Sequence, residues 1–420
     1  MSDEPYYREV RKRGNLYAAW RKVFENGIRS NSKETQKEVF RFKEKEHQNI
    51  ERLSRQLHSK KFKFDPAKGV PKRRPGKSPR PLVVASIENR IVQRSILDVL
   101  QREKTLKEYI LVPTSFGALR DEDNVRSVAS AIKRAHEAVM TGERWFIRSD
   151  ISDFFTKIQK DRIIKTISGF IPEPAFLNLF REAIAVELVN LSELGKVASL
   201  FPIHEIGVAQ GCCLSPLAGN ILLHDFDIQM NDRGIVCLRY IDDFIIFGPK
   251  QRKVLAAFKS AQKILSDYGM AAYEPSKDGK KAQIGETNNG FEFLGCQIQP
   301  GIIRPSVAAR EKLIKKIDSI IQESIMLMAQ PRRLYLNGSS LRDTLASISN
   351  ILEGWGNQYS FCNDMEVFRD LDRKMDERIN NYLAAYKKAV HVNTTKGNIK
   401  NLRHLLGVHL LEESKRAPVI

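Results

Sequence analysis

Two adjacent carboxylates, Asp242 and Asp243, lie between the apolar runs Leu238-Arg239-Tyr240-Ile241 and Phe244-Ile245-Ile246-Phe247. Apolar runs of this length, rich in Ile and Phe, read as buried strands, which puts the aspartates at the hairpin tip between them. Like charges side by side repel, and desolvation makes both costlier. On an ordinary hairpin, water alone offsets such a pair. A third carboxylate points further, because Trp145-Phe146-Ile147-Arg148-Ser149-Asp150 reads as a core strand that ends on an acid. If the two strand ends are neighbours in one sheet, Asp150, Asp242 and Asp243 converge. Oxygen-only ligands suit Mg²⁺, with Mn²⁺ as a substitute. Two such ions, roughly 3.5–4 Å apart, clamp an in-line displacement at phosphorus. One lowers the pKa of an attacking hydroxyl, and the other neutralises a leaving pyrophosphate.

Phosphate chemistry also needs a cationic grip. In residues 63–82, Pro66, Pro71, Pro75, Pro79 and Pro81 deny a regular helix. Between them stand Lys68, Lys72, Arg73, Arg74, Lys77 and Arg80. On a loop or edge hairpin these cations repel one another unless an anion is near, and a triphosphate or a nucleic-acid backbone supplies it. A solvated basic linker is the plainer reading. The elements that would position these groups follow from pattern. Residues 83–86 read as a short strand, and 87–106, 124–140, 161–170 and 174–189 as helices. Gln210-Gly211-Cys212-Cys213-Leu214-Ser215-Pro216-Leu217 reads as a turn into a helix, capped by Ser215 with Pro216 in its first turn. Residues 251–268 form an amphipathic helix, 277–281 a charged turn, and 290–298 a Gly-bounded hairpin. Strand–helix alternation stops near Pro305, helices follow to 388, and a domain boundary belongs there. The tail carries a short helix over 400–411.

The bulk properties agree with a polyanionic partner. Of 420 residues, 69 are Lys or Arg against 50 Asp or Glu, a net charge of +19, and the pI is near 9.6. Nucleic acid is the default partner for such an excess. No apolar run approaches the roughly 20 residues of a membrane span, and Met1-Ser2-Asp3-Glu4-Pro5 has no signal-peptide pattern, so a cytoplasmic protein with no membrane partner is expected. Cys212, Cys213, Cys237, Cys296 and Cys362 form no CxxC pair and read as small core residues. Residues 6–62 are helical and basic, with Leu16, Trp20, Val23 and Phe24, then Phe40, Phe42, Ile50, Leu53 and Leu57, at helical spacing, and Asn31-Ser32-Lys33-Glu34 as a cap between helices. Their charged face either meets solvent or lies on nucleic acid.

In order, these motifs resemble those of a bacterial reverse transcriptase. Lys77-Ser78-Pro79-Arg80-Pro81-Leu82 with Ile87-Glu88-Asn89-Arg90-Ile91-Val92-Gln93 is similar to a fingers motif of group II intron and retron enzymes. Ser115-Phe116-Gly117 resembles the next, although Ala118-Leu119-Arg120-Asp121-Glu122-Asp123 departs from the usual continuation. Ser149-Asp150-Ile151-Ser152-Asp153-Phe154-Phe155 matches the first palm motif, and Tyr240-Ile241-Asp242-Asp243 the metal-binding box. The resemblance implies Asp150, Asp242 and Asp243 as catalytic residues, and these three with Ile151 as the ligands of two Mg²⁺ ions. It implies dNTP contacts at Lys77, Arg80, Asp153, Phe154, Phe155, Gln210 and Lys277, with Phe155 as a gate against the ribose 2′-hydroxyl. Lys277 falls where the family carries a lysine that protonates pyrophosphate, and Lys280 and Lys281 are equally available. Template and primer contacts are implied at Ser115, Phe116, Gly117, Gly211, Ser215, Pro216, Tyr240, Phe293, Leu294 and Gly295, the last three as primer grip.

The expected fold is therefore α+β, a right-hand polymerase whose fingers and palm pack an antiparallel sheet on helices, with an all-helical thumb and a helical N-terminal extension. The boundaries expected are 1–62 for the extension, 63–140 for fingers, 141–304 for palm with finger elements at about 160–205, 305–390 for thumb, and 391–420 for a tail. Asn15-Leu16-Tyr17-Ala18-Ala19-Trp20 resembles the defence-associated "unknown group" of bacterial reverse transcriptases. That implies antiphage defence, with cDNA made from dNTPs on a dedicated noncoding RNA template. The alternative is a group II intron maturase-like protein that folds RNA, because Trp355-Gly356-Asn357-Gln358-Tyr359 resembles the Trp-x-x-x-Tyr stretch of the maturase thumb.

Overall fold

The computed structural model describes residues 4–30, 32–74, 77–117, 126–232, 234–277, 279, 281–395 and 397–414. The run 118–123 that departs from the fingers motif, and Lys280, lie outside them. The chain divides into two compact units, Met1–Glu286 and Thr287–Ile420. The architecture is α+β in both.

The first unit is built on a five-stranded sheet. With β1 (Lys68–Arg74) and β2 (Lys77–Val84) forming a separate basic hairpin, the sheet comprises β3 (Ser115–Phe116), β4 (Trp145–Asp150), β5 (Val236–Tyr240), β6 (Asp243–Gly248) and β7 (Gln283–Glu286), in the order β3-β5-β6-β4-β7. All neighbours are antiparallel except the β3–β5 pair. Strand residues alternate between faces. Ile147, Cys237, Phe244 and Ile246 face a core shared with helices His224–Asn231 and Gln251–Asp267. There Phe244 meets Phe226 at 5.7 Å and stacks on Phe258 at 6.3 Å between ring centroids.

Four helices precede the hairpin: Pro5–Arg11, Arg13–Ile28, Lys33–Glu44 and Glu46–His58. Ser32 caps the third, accepting from the Thr35 amide. The helices pack on helix Ile87–Leu100, where Lys22 bonds Asp98 at 3.0 Å and the Ser95 hydroxyl donates to the Val10 carbonyl. The expected 87–106 helix is two, because Glu103 caps a new helix, Lys104–Ile110, by accepting from the Leu106 amide. The expected 174–189 helix ends at Ile184. Beyond it the chain runs extended, and Ala67 exchanges backbone bonds with Glu187 and Val189.

In the second unit, β8 (Phe291–Phe293), β9 (Cys296–Gln299) and β10 (Ile302–Pro305) form a three-stranded sheet in the order β10-β9-β8. Helices Val307–Leu327, Leu341–Gln358 and Met365–Thr395 then bury Ile317, Ile348, Leu371 and Tyr382 in a core of their own. The tail helix is Ile399–Leu406. Among the described residues no helix is long and apolar enough to cross a membrane.

Candidate active site

The acidic pair stands on the β5–β6 hairpin. Tyr240 and Asp243 are the last cross-strand pair, so Ile241 and Asp242 form a two-residue loop and Asp243 opens β6. Asp150, the last residue of β4, lies directly opposite Asp243, and the Ile151 amide donates to the Asp242 carbonyl at 2.9 Å. Three carboxylates from two strands and one loop are thus brought to one end of the sheet. The loop is strained. Ile241 has φ +61°, in the left-handed region, where a residue with a Cβ gives up roughly 1–2 kcal/mol and a branched one is rare.

The electrostatics are those of an acidic site short of counter-charge. Burial pushes the Asp242 carboxyl up, with Arg80 and Arg239 opposing. Burial first, and Asp242 second, push Asp243 up to about 6. Asp150 Oδ1 is buried and has no hydrogen-bond partner among the described residues, while Oδ2 is bound by the Lys281 ammonium. Among the described residues no three His, Cys, Asp or Glu side chains stand close enough together to hold a metal ion as a group. The donor set nevertheless fits a hard divalent ion. It is all oxygen, one carboxylate oxygen is orphaned, and a lysine supplies positive charge where a cation would. Ile151 can take part through its carbonyl alone, since its side chain is buried and its amide is engaged.

Lys277 is the family's lysine position, with Lys280 and Lys281 equally available, and of these the structure brings Lys281 to Asp150. Lys277 is exposed and pairs with Glu274 at 2.7 Å. Lys281 reaches Asp150 with its ammonium 5.4 Å from the Tyr273 ring centroid.

Where nucleotide contacts are expected, β2 runs past the Gln210 loop. Leu82 bridges to Gln210, and the Val83 amide donates to the Gln210 carbonyl at 3.0 Å. Arg80, exposed on β2, is close enough to lower the Asp242 pKa. Lys77 lends its backbone to β2, and its side chain lies outside the described set. Asp153 is exposed with φ +51° and heads the short helix Phe154–Lys157. Phe155 is half-buried and meets Phe154 edge-on, ring centroids 5.1 Å apart. Phe154, expected as a nucleotide contact, is a core ring packed on Gly219. A cavity of about 530 Å³ opens beside Gln210 and Gly211, lined also by Leu82, Val83 and Arg90. Burial lowers the pKa of Arg90 there.

Several residues expected to touch template or primer do other work. Ser115 and Phe116 are buried and pair with Arg239 and Tyr240 of β5. Gly117 (φ +82°) packs under the loop so closely that a Cβ would meet Ile241 Cγ1 at 3.0 Å. Ser215 does not cap its helix. It sits inside the first turn, and its buried hydroxyl donates to the Ala209 carbonyl at 2.7 Å. Gly211 and Pro216 remain at least partly exposed, and Tyr240 is half-buried. Phe293, Leu294 and Gly295 belong to the second unit, where they form the β8–β9 turn.

Sequence reasoning missed Arg239, which is fully buried and bound to Asp227. A signal existed: an arginine within a core strand must find an acid or a set of acceptors.

A family model described as Reverse transcriptase (RNA-dependent DNA polymerase) matches residues 70–298, more than half of the chain. Protein YkfC of Escherichia coli is 23% identical over 253 residues, covering 52% of this chain and 63% of that protein. The group II intron-encoded protein LtrA of Lactococcus lactis is 26% identical over 151 residues, covering 36% and 23%. The chain therefore spans less than two thirds of these relatives. An apo telomerase structure from Candida tropicalis aligns with a TM-score of 0.44 at 13% identity, over 81% of this chain and 69% of that one.

Proposed function

Since this chain belongs to the reverse transcriptase family, we propose that it is an RNA-directed DNA polymerase that adds dNTPs to a 3′ end by two-metal nucleotidyl transfer. One observation carries the reading: Asp150 faces Asp243 across adjacent strands, with Asp242 in the loop beside them. Asp150 and Asp242 would hold Mg²⁺, with Asp243 assisting. Bound there, the ions would supply activation of the attacking hydroxyl and charge stabilisation of the leaving pyrophosphate. The protein's own groups do the rest. Arg80 and Lys77 on β2 grip the triphosphate as cations. Gln210 and Gly211 border the nucleotide. Lys281, already at Asp150, is placed to give a proton to the leaving group. Phe155 offers its exposed edge to the sugar, with Phe154 fixing it from the core. The cavity beside Gln210 suits an unpaired template base, with Arg90 at its wall.

The test is primer extension on an RNA template with Mg²⁺. The full chain extends the primer, and Asp242→Ala with Asp243→Ala abolishes extension, since lost metal ligands remove several kcal/mol of transition-state stabilisation. Normal extension by the double variant overturns the reading. Phe155→Ala is expected to raise rNTP use relative to dNTP about tenfold or more by removing a steric clash, and an unchanged incorporation ratio would reassign the gate.

For the biological setting we propose a cytoplasmic antiphage enzyme that copies a dedicated noncoding RNA into cDNA. The resemblance of residues 15–20 to defence-associated enzymes supports this. The LtrA relationship favours a second reading, an intron maturase in which RNA folding dominates. Sequencing the RNA and DNA that copurify with the chain separates them. A short structured RNA with its cDNA supports defence, whereas intron RNA without cDNA supports the maturase.

A further inference from the structure

Resting on that reading of the acidic loop, we propose that Arg239 is the positioning residue that holds the Ile241–Asp242 loop in its left-handed, metal-presenting conformation. Arg239 is fully buried, and all five of its N–H donors are used. Nε and one Nη2 hydrogen clamp the Asp227 carboxylate. The other Nη2 hydrogen goes to Ser115 Oγ at 2.7 Å. Nη1 donates to Asn220 Oδ1 at 3.0 Å and to the Ile241 carbonyl at 2.8 Å.

The last of these bonds falls on the strained residue itself. A two-residue loop with positive φ at its first position is a place for glycine. Here a β-branched residue occupies it, so the conformation must be over-determined from outside. Asn220 extends the restraint by donating to the Gly117 carbonyl at 3.1 Å, and Gly117 backs Ile241 directly. One guanidinium therefore ties the loop to the shelf at Ser115–Gly117 and to two helices, Ser215–Leu222 and His224–Asn231. Lysine keeps the charge opposite Asp227 but has three donors on a single nitrogen, which cannot span these acceptors together.

The Ile151 amide reports on the loop because it donates to the Asp242 carbonyl. In the full chain, Arg239→Lys is expected to speed hydrogen exchange at Ile151 about tenfold or more, with the amides of helix Gln251–Asp267 unchanged. It is also expected to lower kcat for dNTP addition about tenfold while leaving KM for dNTP as it is. Glycine at 241 removes the need for restraint, so the same substitution is expected to have less than about a threefold effect on either readout when made on Ile241→Gly. Wild-type exchange and kcat in Arg239→Lys overturn the proposal. Equal losses with and without Ile241→Gly also overturn it, since Arg239 would then act on folding alone. Should Arg239→Lys not fold, the isosteric Asp227→Asn loosens the guanidinium and is read the same way, and unaltered Ile151 exchange there is equally fatal. The exchange arm needs no polymerisation, so a wild-type chain that extends no primer refutes the enzymatic reading without deciding this one.

Discussion

Among the described residues, two hairpins close on two-residue loops that place a non-glycine residue in the left-handed region. In the β8–β9 hairpin, Phe293 and Cys296 flank Leu294 (φ +48°) and Gly295 (φ +79°). Both loop residues have positive φ, the pattern whose twist matches the flanking strands, and glycine takes one position without penalty. In the β5–β6 hairpin only the first loop residue, Ile241, is left-handed, and Asp242 stays outside that region. That pattern calls for glycine at the first position, and a branched residue stands there between two pairs of polar neighbours. The first hairpin is satisfied by its own sequence. The second is held by Arg239, Asp227 and Asn220, which come from elsewhere in the fold. Conformational cost gathers where the carboxylates are, and the restraint that offsets it lies outside the loop.

The difference should be largest in chemistry. Lys281 bonds Asp150 beside the β5–β6 loop, whereas Lys277 pairs with Glu274. Lys281→Ala is expected to slow single-nucleotide addition about 100-fold, the ordinary contribution of a positioned general acid, and Lys277→Ala by less than about threefold. Rapid-quench measurement of one incorporation checks both. If Lys277→Ala is the slower variant, the ion pair at Asp150 is not the working arrangement.

Stability should discriminate in the other direction. At Gly295 any side chain is forced into φ +79° and its Cβ would approach Tyr359 Oη at 3.2 Å. Gly295→Ala is expected to destabilise the second unit by about 1–2 kcal/mol. Leu294→Asn is expected to be neutral or to stabilise by about 0.5 kcal/mol, because Asn tolerates the left-handed region. Thermal unfolding of the two variants decides. An unaffected midpoint in Gly295→Ala would mean the hairpin is not locally satisfied, and the contrast with Ile241 would fail.

These expectations separate what the residues declared from what they concealed. The acidic hairpin, the strand ending at Asp150 and the hairpin at 290–298 were legible because strand periodicity, turn residues and charge coincide within about ten residues. Phe154 and Phe155 were not separable, since adjacent rings on a short helix differ only in which one meets Gly219. The choice among Lys277, Lys280 and Lys281 was equally hidden, because long side chains in a turn carry no local signal of their target. Ser115 read as a template contact, yet its hydroxyl serves a buried guanidinium 124 residues later in the chain. Local sequence cannot express that partner. Ser215 failed as a cap for a smaller reason: the helix starts at Ser215 itself, so its hydroxyl turns back to Ala209.

The smallest effect bears on the cost stored in the acidic loop. Burial and Asp242 raise Asp243 from the ordinary 3.8 to about 6. A carboxyl whose folded pKa lies above its unfolded one binds its proton more tightly in the folded state. Its stabilising contribution is therefore complete below about pH 4 and is lost as pH rises through about 6. In buffer free of divalent ions, Asp243→Asn is expected to exceed wild type in stability at pH 7 by about 1–2 kcal/mol, after allowing for solvent screening. The gap should close toward pH 4, because the protonated acid and the amide are then alike in charge. Differential unfolding of the first unit across that range measures it. A gap independent of pH would show that the loop carries no such electrostatic cost, and the two hairpins would then differ in backbone strain alone.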